Sequence, residues 1–191
     1  MNTIYPTLTL LKKPVTTLFT WLLFLLISSP VFAQLGTYSF TGPGTCPNQN
    51  PSVTSQPANA VFSDFTTIGT NCNIVNDIFE SDTWNNTAVI NLAQYNQFTI
   101  TPNSGYNLTL DSLQFTEKTS QAQSGATWVI RSSLDGYTTD ISSGPVNDVL
   151  ATYNITLGAP TFTNIGSITI KAGTDYPSSS RLCLVGFFSK L

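Results

Sequence analysis

The chain has 191 residues, of which 41% are hydrophobic and 9% are charged, and it contains no histidine. Charged residues usually make up about a quarter of a soluble domain, so Ser, Thr, Asn and Gln must wet most of this surface. The missing histidine excludes a Ser-His-Asp triad, a His-ligated zinc site and an imidazole base.

The first 33 residues have the three parts of a secretory signal peptide. Lys12 and Lys13 form a positive start, Leu18 to Ile27 an apolar middle, and Ala33 ends a cleavage site. We expect cleavage to leave one mature domain, residues 34–191, that is secreted, extracellular or on the cell surface. The alternative is an uncleaved membrane anchor, because the apolar stretch is nearly long enough to span a bilayer. Nothing later in the chain is expected to insert into a membrane.

The mature domain is acidic, since removing Lys12 and Lys13 leaves five basic residues against ten acidic ones. Nucleic-acid binding needs a basic patch that displaces counterions, and anionic membranes attract the same kind of patch. The charge therefore argues against both, and leaves sugars, cations and other proteins as partners.

Short alternating or β-branched runs recur after the signal peptide, each closed by Gly, Pro, Asn or Asp, a pattern typical of an all-β sandwich or barrel. The alternate positions that carry inward-facing apolar residues shift by one across Asp111 and Ser112, which predicts a β-bulge or bend. From Asn76 to Trp84 we expect at most one helical turn. The predicted strands are Gly36–Thr41, Ala60–Phe65, Ala88–Leu92, Gln97–Thr101, Asn107–Thr116, Thr127–Ser133, Asn154–Thr156, Ser167–Lys171 and Arg181–Ser189.

Three cysteines follow the signal peptide, which in an oxidising compartment predicts one disulfide and one leftover thiol. Cys46 and Cys72 lie in turn-rich sequence and are the favoured pair, worth about 3 kcal/mol in the chain-entropy model. Cys183 lies in an apolar run and is predicted to pack as a small hydrophobic residue. Three scattered cysteines without histidine make no zinc site.

The segment from Gly125 to Tyr137, GATWVIRSSLDGY, resembles the strand, S-x-D-G, strand element of galactose-binding-like jelly rolls, including discoidin-type domains and carbohydrate-binding modules. The wider pattern from Gly36 to Tyr137 is similar to small secreted bacterial surface proteins. This resemblance implies a two-sheet antiparallel β-sandwich, a jelly roll whose last strand returns beside the first. It transfers a fold and no function.

Sugar binding needs aromatic rings left in solvent beside polar groups. Tyrosines next to turn residues are the best surface candidates, and Trp84 joins them because its neighbours are polar, although its strand pattern also fits the core. Arg131 is either a ligand contact or the partner of Asp135 in a hairpin ion pair. The candidate ligand-binding residues are Trp84, Tyr95, Arg131, Tyr137 and Tyr153.

Four acids, Asp64, Asp77, Glu80 and Asp82, lie near amide side chains that also offer oxygen ligands, so calcium is a candidate cofactor. Their spacing does not match an EF-hand, and the competing interpretation is that they cap turns. Glu80 and Asp82 are also the pair for glycoside hydrolysis, which needs two carboxylates across a sugar bond. We expect no enzyme.

Two function classes remain open from the sequence. One is a noncatalytic module that binds a carbohydrate or glycoconjugate, which predicts exposed aromatic rings beside amides or arginine. The other is a structural or adhesive surface protein with no small ligand, which predicts buried aromatics, a Thr/Ser/Asn face and an edge strand for a protein partner.

Overall fold

The computed structural model describes residues 35–40, 44–45, 53–75, 78–84, 90–91, 93–119, 125–174 and 182–190. The predicted signal peptide lies outside them, and all of them belong to the unit Ala33–Leu191. No stretch of the described chain forms a helix of the length and apolarity that crossing a membrane requires. The strands are β1 Leu35–Tyr38, β2 Gly44–Thr45, β3 Ala60–Phe62, β4 Thr66–Ile68, β5 Asn71–Val75, β6 Ile78–Asp82, β7 Tyr95–Pro102, β8 Ser112–Thr119, β9 Thr127–Ser132, β10 Ser142–Pro145, β11 Ala151–Thr156, β12 Ile168–Thr174 and β13 Leu182–Lys190.

These strands form two antiparallel sheets, which confirms the predicted all-β sandwich. The first sheet has the order β11-β8-β13-β6-β5-β2, and β1 also pairs with β13. The second has the order β10-β9-β12-β7-β3, and β4 also pairs with β7. Because β1 and β13 are neighbours, the last strand returns beside the first, as the resemblance implied.

The core lies between the sheets and is rich in aromatic rings. In β7, burial alternates residue by residue, so Phe98 faces inward and its neighbours face outward. Phe98 meets Tyr38, and Phe65 touches Phe40 and Phe79, with ring centroids 5.1 to 5.4 Å apart. Burying one such ring is worth roughly 1.5–3 kcal/mol. The period of two therefore sets which face of each strand becomes core.

The segment around Asn76 differs from the sequence prediction. Instead of a helical turn, β5 and β6 pair antiparallel from Asn71 opposite Asp82 to Val75 opposite Ile78. Phe79 and Ser81 are buried on one side of β6, which is the alternation of a strand. The Asn and Asp residues nearby made this alternation hard to recognise in the sequence.

At Asp111 the sequence predicted a β-bulge or a bend, and the structure has a break there between the bridge at Leu108 and β8, which begins at Ser112. Leu108 joins the fold through an isolated bridge to Ile165. The register irregularity lies in β13 instead, between Leu184 and Gly186. Most of the predicted strand Ala88–Leu92 lies outside the described residues, and its described positions 90 and 91 are not in a strand.

Cys72 lies in β5 and is disulfide-bonded. Cys46 lies outside the described residues, so its pairing with Cys72 stays a prediction. The side chain of Cys183 is outside the described part as well.

Candidate functional site

The outward face of the second sheet carries a row of polar side chains across three strands. In the strand register, Lys171 of β12 lies opposite Arg131 of β9 on one side and opposite Gln97 of β7 on the other. All three are partly exposed, whereas their neighbours in sequence turn into the core. Strand pairing therefore gathers two cations and an amide from distant parts of the chain.

In the next row of this face, β12 has a glycine, Gly173. Gly173 lies opposite Val129 and one residue beyond the last paired position of β12 with β7, which brings it beside Tyr95. A Cβ at Gly173 would meet only the backbone oxygen of Gln94 at 3.6 Å and a methyl of Ile90 at 3.8 Å, both ordinary contacts. Gly173 is buried, because the backbone of Gln94 and the side chain of Ile90 cover the place that a side chain would take.

The loop after β9 is folded around Asp135. One carboxylate oxygen of Asp135 accepts a hydrogen bond from the backbone N–H of Tyr137 at 3.0 Å, and the other from that of Thr139 at 2.9 Å. Hydrogen bonds from Thr139 above all, and from Thr138, lower the pKa of the Asp135 carboxyl below its ordinary value. Gly136 and Tyr137 both have left-handed backbones, with φ of 70° and 65°, so the carboxylate holds a turn that is unfavourable for tyrosine.

Arg131 fixes the same loop from the sheet. Its Nε donates to the Oδ1 of Asp140 at 2.6 Å, and a terminal nitrogen donates to the carbonyl of Tyr137 at 3.1 Å. The predicted hairpin ion pair exists, but its acid is Asp140 and not Asp135, because Asp135 binds its own loop. Arg131 thus positions Tyr137 over the sheet.

Lys171 lies between two tyrosine rings. Its ammonium nitrogen is 3.8 Å from the ring centroid of Tyr95 and 3.9 Å from that of Tyr137. Both distances are within the range of cation–π attraction, worth about 0.5–1 kcal/mol each at an exposed site. The two rings and the ammonium support one another and hold a fixed arrangement on the surface.

These residues enclose a small open pocket. The enclosed space is only about 20 Å³, room for about one water molecule, so the pocket is a shallow depression and does not engulf a ligand. Its shape suits the partial covering of one ring at the surface. The lining residues are Ile90, Asn91, Gln94, Tyr95, Val129, Arg131, Tyr137, Lys171 and Gly173. Three of the five predicted ligand-binding residues therefore meet here: Tyr95, Arg131 and Tyr137.

Trp84 is elsewhere and is buried, with 4% of its surface exposed. Its indole N–H donates to the carbonyl of Ser81 at 3.0 Å. The alternation of β6 would turn Trp84 outward, but Thr83 has a left-handed backbone with φ of 62° that reverses the side. The prediction of Trp84 as a ligand-binding residue is wrong for this reason.

Tyr153 also fails as a surface candidate, because it faces inward on β11 in the same parity as Ile155. Its ring lies 4.6 Å from Trp128 and 5.3 Å from Phe115 between centroids. Its hydroxyl donates to the carbonyl of Pro145 at 2.7 Å. The ring and the hydroxyl of Tyr153 therefore both make contacts within the fold.

The predicted acidic cluster is not assembled by the described residues. Asp64 follows β3 in one sheet, whereas Glu80 and Asp82 lie on β6 in the other, and Asp77 is outside the described residues. No group of three metal-ligating side chains occurs in the described part of the chain. The described acids do not form one group by themselves, and calcium binding stays a prediction.

A second polar cluster, which the sequence reasoning missed, lies inside the sandwich at Glu117. This residue is completely buried, and its Oε1 accepts hydrogen bonds from the backbone N–H and the side-chain amide of Asn147 at 3.3 and 3.4 Å. Burial raises the pKa of Glu117 to about 7, although hydrogen bonds from Asn147 oppose the rise. The signal was present, because Glu117 shares the parity of the inward Leu113 and Phe115.

Lys171 and Gly173 were also missed as pocket residues. The alternation of β12 places both outward, but it does not tell which strands lie on either side. Their role depends on strand order, which brings Tyr95 and Tyr137 to opposite sides of Lys171.

No family model matches the chain, and no curated protein matches it. Among solved structures, it is similar to a mutant of a family 29 carbohydrate-binding module complexed with mannohexaose, with 14% identity and a TM-score of 0.48 over 84% of this chain and 93% of that one. It is also similar to a second mutant of such a module, complexed with cellulohexaose, with 12% identity and a TM-score of 0.46 over 82% and 92%. The likeness concerns the arrangement of strands in a β-sandwich.

Proposed function

We propose that the protein is a secreted, noncatalytic module that binds carbohydrate at the pocket between Tyr95 and Tyr137. The observation that carries this proposal is the convergence of these two rings, with Arg131 and Lys171, in one open pocket on a sheet face. Sugars bind to proteins by packing their C–H faces on apolar or aromatic groups while polar side chains bind their hydroxyls.

The pocket supplies both kinds of contact. The tyrosine rings offer apolar surface, and Asn91 and Arg131 also line the pocket, whereas Val129 and Gly173 line it but are buried. Because the pocket is a shallow depression, one face of a sugar ring would pack against the tyrosine rings while the rest of the sugar stays in solvent. Among the described residues that line it there is no carboxylate, whereas hydrolysis of a glycosidic bond uses a pair of them.

The test is a broad glycan array with the purified protein, followed by titration calorimetry on the glycans that bind. We expect Tyr137→Ala to weaken binding about tenfold, the effect of losing one ring contact of about 1.4 kcal/mol. Tyr106→Ala is the matched control, because Tyr106 is 53% exposed and lies outside the pocket. A silent array, or a Tyr137→Ala variant that binds as tightly as this control, would contradict the proposal.

The alternative function, a structural or adhesive surface protein, is favoured by the edge strand β11. In the described part of the fold it pairs only with β8, and it presents Thr152, Asn154 and Thr156 to solvent. An unpaired edge of six residues can accept a strand from a protein partner. If no glycan on the array binds the protein, this structural or adhesive function becomes the favoured one.

Secretion forms part of the proposal and depends on the signal peptide predicted in residues 1–33. We expect the protein recovered outside the producing cell to begin at Gln34, as read by N-terminal sequencing. Retention of Lys12 and Lys13 in the recovered protein would support the uncleaved anchor instead.

A further inference from the structure

Lys171 has no counter-ion within the described residues. The salt bridge found there joins Arg131 to Asp140 at 2.6 Å and leaves Lys171 aside. The two rings beside the ammonium attract it but provide no hydrogen-bond acceptor of the strength of a carboxylate. Its hydrogen-bonding capacity is therefore available to a ligand.

Among the described residues, the other charges near the pocket are already matched. Asp140 neutralises Arg131, and the two oxygens of Asp135 accept hydrogen bonds from the backbone of their own loop. Within this part of the chain, the charge that the pocket presents to a ligand is consequently that of Lys171. The rings hold it in one position, which lowers the entropy lost when it binds an anion.

Apolar surface lies directly beside this charge. The ring centroids of Tyr95 and Tyr137 are 3.8 and 3.9 Å from the ammonium nitrogen of Lys171. A sugar ring that packs against one of these tyrosines would bring a substituent at its rim to the ammonium. We propose that the pocket selects anionic sugars, with a carboxylate or sulfate group bound to Lys171 between Tyr95 and Tyr137; this rests on the proposed carbohydrate-binding function.

The test compares charged and uncharged versions of the same glycans. Each uronic acid on the array is paired with its methyl ester, and each sulfated glycan with its desulfated form, which removes charge but keeps the sugar ring. We expect the charged member to bind about tenfold more tightly, the effect of one charge-assisted hydrogen bond. The uronic acid and sulfate arms distinguish the two sources of negative charge.

The role of Lys171 is tested by Lys171→Met, which keeps an unbranched stem between the rings and removes the charge. We expect the preference for the charged member to fall to about one in this variant, and the salt dependence of binding to disappear with it. Lys118→Met is the matched control, because it removes the same charge from β8 in the other sheet.

The outcomes separate this inference from the function on which it rests. If glycans bind but charged and uncharged members bind equally, or if Lys171→Met keeps the preference, anion selection is overturned and carbohydrate binding stands. If no glycan of either kind binds, the proposed function itself fails and the inference fails with it.

Discussion

Replacing Glu117 by Gln removes a carboxyl that the fold buries completely between its sheets. Its Oε1 accepts hydrogen bonds from Asn147, but its Oε2 is buried without a hydrogen-bond partner. An ionised carboxylate in such a place loses its hydration without full compensation. Glutamine keeps the shape and an acceptor oxygen but carries no charge.

The pKa gives the size of the effect. Burial raises the pKa of Glu117 from 4.5 to about 7, and each pH unit of difference corresponds to about 1.4 kcal/mol. The folded state favours the protonated form, so this contribution to stability is complete below about pH 4.5 and is lost as the pH rises through 7. Ionisation therefore lowers the free energy of unfolding by up to about 3 kcal/mol at about pH 8.

We expect Glu117→Gln and the natural protein to differ little at about pH 4 and to diverge above it. At about pH 8 the variant should be more stable by up to about 3 kcal/mol, which corresponds to a Tm roughly 6–12 °C higher for a domain of this size. Urea unfolding followed by tryptophan fluorescence, at steps from about pH 4 to about pH 8.5, measures this directly. The chain has no histidine, so few other side chains titrate in this interval.

Asp148→Asn is the matched control, because it also removes one carboxyl but from an exposed position. Its stability should follow the natural protein across the pH range. The reasoning would be refuted if the free energies of unfolding of Glu117→Gln and the natural protein ran parallel against pH. The pKa of the Glu117 carboxyl would then be the same in the folded and the unfolded chain.

Two further predictions concern packing and the disulfide. A Cβ at Gly144 would lie 2.6 Å from the Trp128 ring, so Gly144→Ala should destabilise the fold by about 1–3 kcal/mol in urea unfolding. Gly166→Ala is the control and should lose much less stability, because its Cβ would meet nothing within 4 Å. Equal losses of stability in the two variants would contradict the predicted clash. Mass spectrometry of a non-reduced digest should find one peptide joining Cys46 to Cys72, absent after reduction, whereas a peptide joining Cys72 to the third cysteine would show that the predicted pairing is wrong.

Alternation in the sequence was sufficient to predict the faces of the central strands. Trp128 and Ile130 lie two residues apart in β9 and are both buried, while Arg131 is partly exposed. The rule works there because successive side chains of a strand point to opposite faces. At Trp84 the polar neighbours were misleading, and the residue lies in the core, as its strand pattern also allowed.

The candidate site was predicted only in part. Turn residues around Tyr137 indicated a surface loop, and Arg131 followed from its outward parity. Lys171 and Gly173 gave no local signal, because their importance depends on which strands lie beside β12. The acids near Asp64 looked like one cluster in sequence, but the chain crosses from one sheet to the other between them.

The sequence by itself determined the class of fold, because a period of two with frequent turn residues is compatible with antiparallel sheets and little else. The tertiary structure alone decided the pocket. Lys171 meets Tyr95 and Tyr137 through the order of strands in the second sheet. That order is fixed by burial of the whole core, a sum of many distant contacts, and not by any short stretch of residues.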